Sequence, residues 1–195
     1  MENEEKMMSG EESLRIITEM ISKTKVNIRQ GSFHLLFWGW LIFTCSISEY
    51  LLYRFTDFTH PYYVWFFVIP GVIVSMVYGF ITGRKAKVST YGDMLYMWTW
   101  MGFLFAATTL FIVHSKNIGT IAPYILLLAG FPTFVSGFVI KFRPLIAGGI
   151  SFWILALIIH FAGPSISPLG VPVAMLTGYL IPGYMLKYKV DHDTV

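Results

Sequence analysis

Long apolar runs, separated by short polar connections, fill the chain from residue 33 onwards. A helix needs about 20 apolar residues to cross a hydrocarbon core of about 30 Å. The pattern predicts six membrane-spanning helices, spans one to six, over residues 33–53, 62–82, 94–114, 120–140, 145–162 and 171–186. We therefore expect an all-α integral membrane protein with one membrane domain at 33–186 and a short tail at 187–195.

The first 32 residues form an arm with a different pattern. Within it, residues 13–30 predict an amphipathic helix, because an apolar stripe recurs at alternating steps of three and four residues: Leu14, Ile17, Ile21, Thr24 and Ile28. Such a helix either lies on the inner membrane surface or docks on a partner, which is a cytoplasmic protein or a second copy of the chain. The stripe lasts about two heptads, which is short for a coiled coil and favours the surface helix.

Lysine and arginine are divided unevenly between the two ends of the predicted spans. Twelve lie in the arm, in the second and fourth connections and in the tail, whereas only Arg54 and Lys116 lie in the other connections. Because cytoplasmic loops carry the excess of these residues, both termini are expected in the cytoplasm. We expect the protein in a bacterial inner (plasma) membrane, with the lipid bilayer as its main surroundings.

Similar sequences close spans two, four and six: GFITGRK, GFVIKFR and GYMLKYK. Each of these spans also begins near a proline, at Pro61, Pro123 or Pro172. The pattern predicts three helical hairpins in series, as in transporters built from internal repeats. The general preferences of residues at span ends produce the same signs, so true duplication stays open.

The even-numbered spans carry rows of small residues at helical spacing: Ser75, Gly79 and Gly83, then Ala129, Thr133 and Gly137, then Ala174 and Gly178. Small side chains let helix backbones approach closely within a membrane. We therefore expect the even spans to pack in the centre and the aromatic odd spans to face lipid.

Polar residues that can carry chemistry gather at the predicted outer level of the spans: Glu49, Asp57, His60, His114 and His160. Carboxylate and imidazole groups together can bind a divalent metal or pass protons, but no HExxH-type spacing fixes two ligands on one helix. Central even spans would also hold the odd spans apart. We therefore expect that His114 and His160 do not share a ligand.

Several function classes have no support in the chain. It contains no phosphate-binding loop, no dinucleotide fingerprint and no nucleophile elbow, and it predicts neither a cofactor nor nucleic-acid binding. The leading hypothesis is a non-enzymatic membrane protein that acts by binding a partner, or its own copy, through residues 13–30. The alternatives are transport of a neutral or lipid-like solute through the proline-broken even spans, and an enzymatic or metal site at the outer face.

Overall fold

The computed structural model describes residues 10–83, 91–115, 118–162 and 167–192, with side chains over 31–81, 91–115, 119–162 and 169–189. This part of the chain is helical, and its helices are α1 (Gly10–Phe55), a 3-10 helix (Pro61–Phe67) leading into α2 (Val68–Gly83), α3 (Tyr91–Val113), a 3-10 turn (Ile118–Thr120), α4 (Ala122–Val139), α5 (Arg143–Ala162), α6 (Ser167–Met175), a π-helix (Leu176–Leu180) and α7 (Ile181–His192).

Six helical segments are long and apolar enough to cross a membrane: Gly31–Phe55, Pro61–Ile81, Tyr91–Val113, Ala122–Val139, Arg143–Ala162 and Leu169–Lys189. The prediction of an all-helical, multi-pass membrane protein is confirmed at this level, and each segment overlaps one predicted span. Span six contains α6, the π-helix and α7 in succession.

The helix predicted at 13–30 is part of α1, which runs through Gly31 and into span one without interruption. The arm and the first span therefore share one helix of 46 residues. Side chains before residue 31 lie outside the described part, so the amphipathic stripe stays a sequence prediction. Residues 1–9 of the arm lie outside the described residues altogether.

Two spans on the edge of the bundle have few buried residues. About 6% of the residues in the apolar window of span two and of span three are buried, against 61% in span six, 44% in span four and 33% in span five. Span two packs on span one, span three packs on span four, and spans four and five make the closest pair. The centre of the bundle thus consists of spans four, five and six, with span one against span six.

The expected division into central even spans and lipid-facing odd spans differs from this burial, because span five is more buried than span two. Span five belongs to the centre because Gly148 and Gly149 bring its backbone against its neighbours. A Cβ atom on Gly149 would lie 2.7 Å from the Phe134 backbone nitrogen of span four. The sequence prediction had counted small residues on the even spans alone.

Span two meets span one along one face. Gly71 is in contact with Leu41, Ser75 accepts a hydrogen bond from Trp38, and Tyr78 stacks on Phe33. These positions are four and three residues apart and form the face towards span one. Gly79 is one residue past that face and has no atom within 4 Å of a Cβ built on it.

The other predicted packing residues lie in the core of the bundle, where Ala129, Thr133, Gly137, Ala174 and Gly178 are all buried. The surroundings of Gly83 lie outside the described side chains. A tight turn joins α4 to α5, in which the Phe142 amide donates to the Gly137 carbonyl at 2.8 Å. Lys141 adopts a φ of 53° in this turn, and the two helices leave it as antiparallel neighbours.

Replacing Gly148 by alanine should destabilise the bundle by about 1–3 kcal/mol, as overpacking of a core does. The added Cβ would lie 2.8 Å from the Gly178 carbonyl oxygen, and a backbone atom has little freedom to move away. Unfolding of the purified protein in mixed micelles measures the change in free energy.

The matched control is Gly79→Ala, which adds the same methyl group to open space on span two. We expect that variant to unfold like the parent protein. Equal losses at Gly79 and Gly148 would contradict a bundle held together by spans four, five and six.

Candidate functional site

Hydroxyl and indole groups converge on the buried side of spans three, four and six. This inner hydroxyl cluster consists of Tyr96, Trp100, Thr133, Ser136 and Tyr179. The Trp100 indole donates to Ser136 Oγ at 3.2 Å, and the hydroxyls of Thr133 and Tyr179 lie 3.4 Å apart. Thr133 is 0% exposed and Ser136 is 3% exposed, so these polar groups satisfy one another away from lipid.

The cluster lies between the middle of the bundle and one end of it. Tyr96 and Trp100 are in the first half of α3, whereas Thr133 and Ser136 are in the second half of α4. Because spans three and four are antiparallel, these halves share one level. Tyr179 reaches that level from the π-helix in the middle of span six.

A small cavity of about 20 Å³ opens beside the cluster, between Leu35, Trp100, Thr133 and Ser136. To hold one water molecule, a cavity needs about 10–15 Å³ of volume open to the centre of a water-sized sphere, and the water needs two to four polar partners. The cavity therefore has room and hydrogen-bonding groups for one water molecule. Its lining contains no Asp, Glu, Lys, Arg or His, and Tyr96 is the one titratable residue in it.

The π-helix gives span six its irregular centre. It lies between Pro172 and Pro182 and contains Gly178, where a Cβ atom would overlap the ring of Phe152. The π-helix also makes a polar contact with span five. The Thr177 hydroxyl lies 3.0 Å from the Ser151 hydroxyl, within hydrogen-bonding distance. Single π-helical turns inside α-helices occur often at functional sites.

The polar residues predicted at the outer level divide into two separate groups. In the first, Glu49 accepts a hydrogen bond of 2.8 Å from the Trp65 indole, which ties span one to the start of span two. Cys45, one helical turn away, is buried, and its sulfur lies 3.5 Å from the Val64 carbonyl oxygen. This arrangement satisfies the one carboxylate expected inside a span.

The second group brings His114 and His160 to the same tyrosine. The ring centroid of Tyr124 lies 5.1 Å from that of His114 and 6.2 Å from that of His160. The Nδ1 atom of His114 is buried without a hydrogen-bond partner. Both rings thus contact Tyr124, while the expectation that they share no ligand stays a prediction.

Asp57 and His60, the two predicted outer residues in the first loop, belong to neither of these groups. Asp57 is exposed, and His60 Nδ1 makes a 3.0 Å hydrogen bond with the Tyr62 hydroxyl. Among the described residues, no three His, Cys, Asp or Glu side chains are close enough to hold a metal ion. A zinc site with three protein ligands thus has no counterpart in this part of the chain.

Comparison of the chain with protein-family models, with curated proteins and with solved structures found no match.

Sequence reasoning did not find the inner hydroxyl cluster. It had selected Thr133 as a small packing residue, without its role as a hydrogen-bonding group. A signal was present, because Thr133 and Ser136 are three residues apart on the small-residue face of span four. Nothing in the sequence, however, showed that Trp100 and Tyr179 would lie opposite that face.

The hydrogen bond between Trp100 and Ser136 should contribute a coupling free energy of about 0.5–1.5 kcal/mol, as polar pairs between membrane helices do. A double-mutant cycle with Trp100→Phe and Ser136→Ala measures it through unfolding in mixed micelles. Pairing Trp100→Phe with Ser151→Ala serves as the control, since Ser151 bonds Gly148 and Thr177 instead. Equal coupling free energies in the two cycles would mean that the Trp100 indole gains no specific stabilisation from Ser136.

Proposed function

We propose that this chain is a non-enzymatic membrane protein that binds a cytoplasmic partner, or a second copy of itself, through the helix at 13–30. Both termini lie in the cytoplasm of an inner (plasma) membrane in this proposal. The observation that carries it is the continuity of α1, which joins the arm helix rigidly to span one.

The length of α1 supports a helix that projects from the membrane. At about 1.5 Å per residue, its 46 residues extend for about 69 Å. The apolar run of α1 begins after Gln30. The 21 residues of α1 before it form an extension of about 31 Å, roughly the thickness of the hydrocarbon core itself.

A helix on the membrane surface would require a sharp bend at the start of span one, because membrane-spanning helices tilt by only about 20° on average. Glycine and serine pairs are common places for such bends, and Gly31 and Ser32 form one here. Yet α1 continues through both residues. Ser32 is 4% exposed, and Leu186 lies near Gly31, so span six packs against this junction. This geometry favours the docking helix over the surface helix.

The hairpin organisation belongs to the same proposal. Trp38 donates to Ser75 at 3.3 Å across spans one and two, and Trp100 donates to Ser136 at 3.2 Å across spans three and four. In both hairpins a tryptophan of the first span donates to a serine of the second span, which supports the idea that the two hairpins are built alike. The third hairpin departs from it, because Trp153 donates to the Leu127 carbonyl of span four.

Replacing Ile21 by aspartate should lower partner binding at least about tenfold. A buried isoleucine contributes about 1.5–3 kcal/mol, and 1.4 kcal/mol corresponds to a factor of ten in affinity. Co-purification of the bound protein with the intact chain, from detergent-solubilised membranes, measures the loss.

Glu19→Ala is the matched control, because position 19 lies on the opposite side of the predicted helix. We expect that variant to bind as the parent does. If Ile21→Asp instead retains full binding, the stripe is not the docking surface and the proposal fails.

Reporter fusions test the orientation on which the proposal depends. Fusions after Lys87, Arg143 and Lys189 should report the cytoplasm, and those after Asp57 and Lys116 the outside, because short cytoplasmic loops carry the excess of Lys and Arg. An external signal at Lys87 would place the arm on the wrong side for a cytoplasmic partner.

Transport of a small neutral solute is the second candidate, supported by the π-helix beside the inner hydroxyl cluster. The cavity there has room for about one water molecule, so transport would require the helices to separate. Glycerol-driven swelling of proteoliposomes discriminates between the two candidates. A swelling rate equal to that of empty liposomes would remove transport.

A further inference from the structure

Two hydroxyl groups of the inner hydroxyl cluster carry a proton for which the protein provides no acceptor. Ser136 Oγ accepts from the Trp100 indole at 3.2 Å, but in the part of the chain that the structure describes it donates to no other group. The Tyr96 hydroxyl likewise has no acceptor among the described residues. Trp100 lies beside both residues but cannot serve, because an indole N–H only donates.

The third cluster residue that faces the cavity, Thr133, has the opposite balance. Its hydroxyl donates to the Ala129 carbonyl at 2.7 Å, so the proton is already used. A hydroxyl oxygen has two lone pairs, which leaves Thr133 Oγ1 able to accept further hydrogen bonds. The cluster thus contains two unused donors and an acceptor that neither of them reaches directly.

An unused donor is costly at this place in the molecule. Ser136 is 3% exposed, and the cluster lies within the length of spans three and four that the hydrocarbon core surrounds. Lipid tails offer no hydrogen-bond acceptor, and a buried hydroxyl without a partner costs about 1–3 kcal/mol by protein mutational data. A group that accepts from Ser136 and Tyr96 would remove this cost.

The size of the cavity limits what that group is. Tyr96, Thr133 and Ser136 all line the same cavity of about 20 Å³, and Leu35 and Leu145 form apolar parts of its wall. One water molecule needs about 10–15 Å³ by the same measure. The cavity therefore has room for a single water-sized group and not for a polyol or an acyl chain.

The charge of the lining limits the group further. No Asp, Glu, Lys, Arg or His lines the cavity, so an ion there would have lost its hydration without gaining a counter-charge. The unused protons of Ser136 and Tyr96 also disfavour a cation, because they present positive charge to the cavity. The group is therefore neutral and accepts at least two hydrogen bonds, as water does.

We propose that this cavity is a binding site for one water molecule, which accepts hydrogen bonds from Tyr96 and Ser136 and donates one to Thr133. Three partners are the usual number for a buried water. A water bridges polar groups that are too far apart to bond directly, at nearly the same enthalpy as a direct bond. The inference does not depend on the docking function proposed above.

The bridging water gives span three a second polar attachment to the centre of the bundle. The Trp100–Ser136 bond is the first, and Tyr96 lies one helical turn before Trp100. The water continues from span four to span six, because Thr133 lies 3.4 Å from the Tyr179 hydroxyl. A span with about 6% of its residues buried is thereby held through groups on two successive turns.

A crystal structure of the full chain, at a resolution that shows ordered waters, tests the site directly. We expect a single density peak within about 3.2 Å of Ser136 Oγ and the Tyr96 hydroxyl oxygen. A cavity without density, with the Ser136 hydroxyl turned onto a backbone carbonyl, would overturn the inference. Anomalous signal at the peak in crystals grown with bromide would also overturn it, in favour of an anion.

A double-mutant cycle in mixed micelles tests the bridge in a second way. Tyr96→Phe and Thr133→Val each remove one hydroxyl, and these two hydroxyls do not bond each other directly. If one water joins them, the effects on the unfolding equilibrium constant should depart from additivity by about threefold, the usual size of a polar coupling between membrane helices. Additive effects would mean that no water joins the two residues.

The matched control cycle pairs Tyr96→Phe with Thr108→Val. Thr108 is an exposed threonine of span three that bonds the Leu104 carbonyl of its own helix, so the same substitution is made away from the cavity. We expect additive effects in this cycle. A threefold departure here as well would assign the coupling to a general effect of Tyr96→Phe and would overturn the bridge.

Discussion

Close contact between the backbones of spans five and six is the constraint on which the rest of the bundle depends. Gly148 meets the Gly178 carbonyl, with no space for a side chain between them. Inside a membrane, apolar side chains have as much attraction for lipid as for one another, so tight packing and hydrogen bonds must hold helices together. Each glycine therefore allows dispersion contacts that a larger residue would prevent.

Tryptophan hydrogen bonds join span two to span one and span three to span four. Trp38 bonds Ser75, Trp65 bonds Glu49, and Trp100 bonds Ser136, so spans two and three are each joined to a neighbour by an indole. An indole has one N–H group and a large apolar surface, so it can bond inward while its ring faces lipid. This explains how two spans in which only about 6% of the residues are buried keep defined positions.

Much of the fold follows from the sequence because hydrocarbon thickness fixes the length of a span and breaks in hydropathy fix its ends. The segment Ala122–Val139 lies within the run predicted at 120–140. The sequence does not show which helices lie in the centre of the bundle, because that depends on the side of its helix on which each small residue lies. Gly79 and Gly148 look alike in the sequence, but one faces open space and the other a carbonyl group.

The candidate site was harder to predict than the fold for a related reason. Its groups come from spans three, four and six, and each group alone is an ordinary residue of a membrane helix. The outer residues were easier to notice because charge is rare in a span. They divide between Trp65 and Tyr124 because Glu49 is bonded between spans one and two, whereas His114 and His160 both pack on span four.

The packing of span one also determines the direction of the arm. Gly39 and Gly183 permit α1 to approach span six so closely that rotation of α1 about its axis would drive side chains into the opposing backbone. A helix fixed in this way transmits its orientation along its whole length, since an uninterrupted helix does not twist freely between its ends. The same glycines that let span one approach span six therefore set the direction in which the backbone of α1 leaves the bundle.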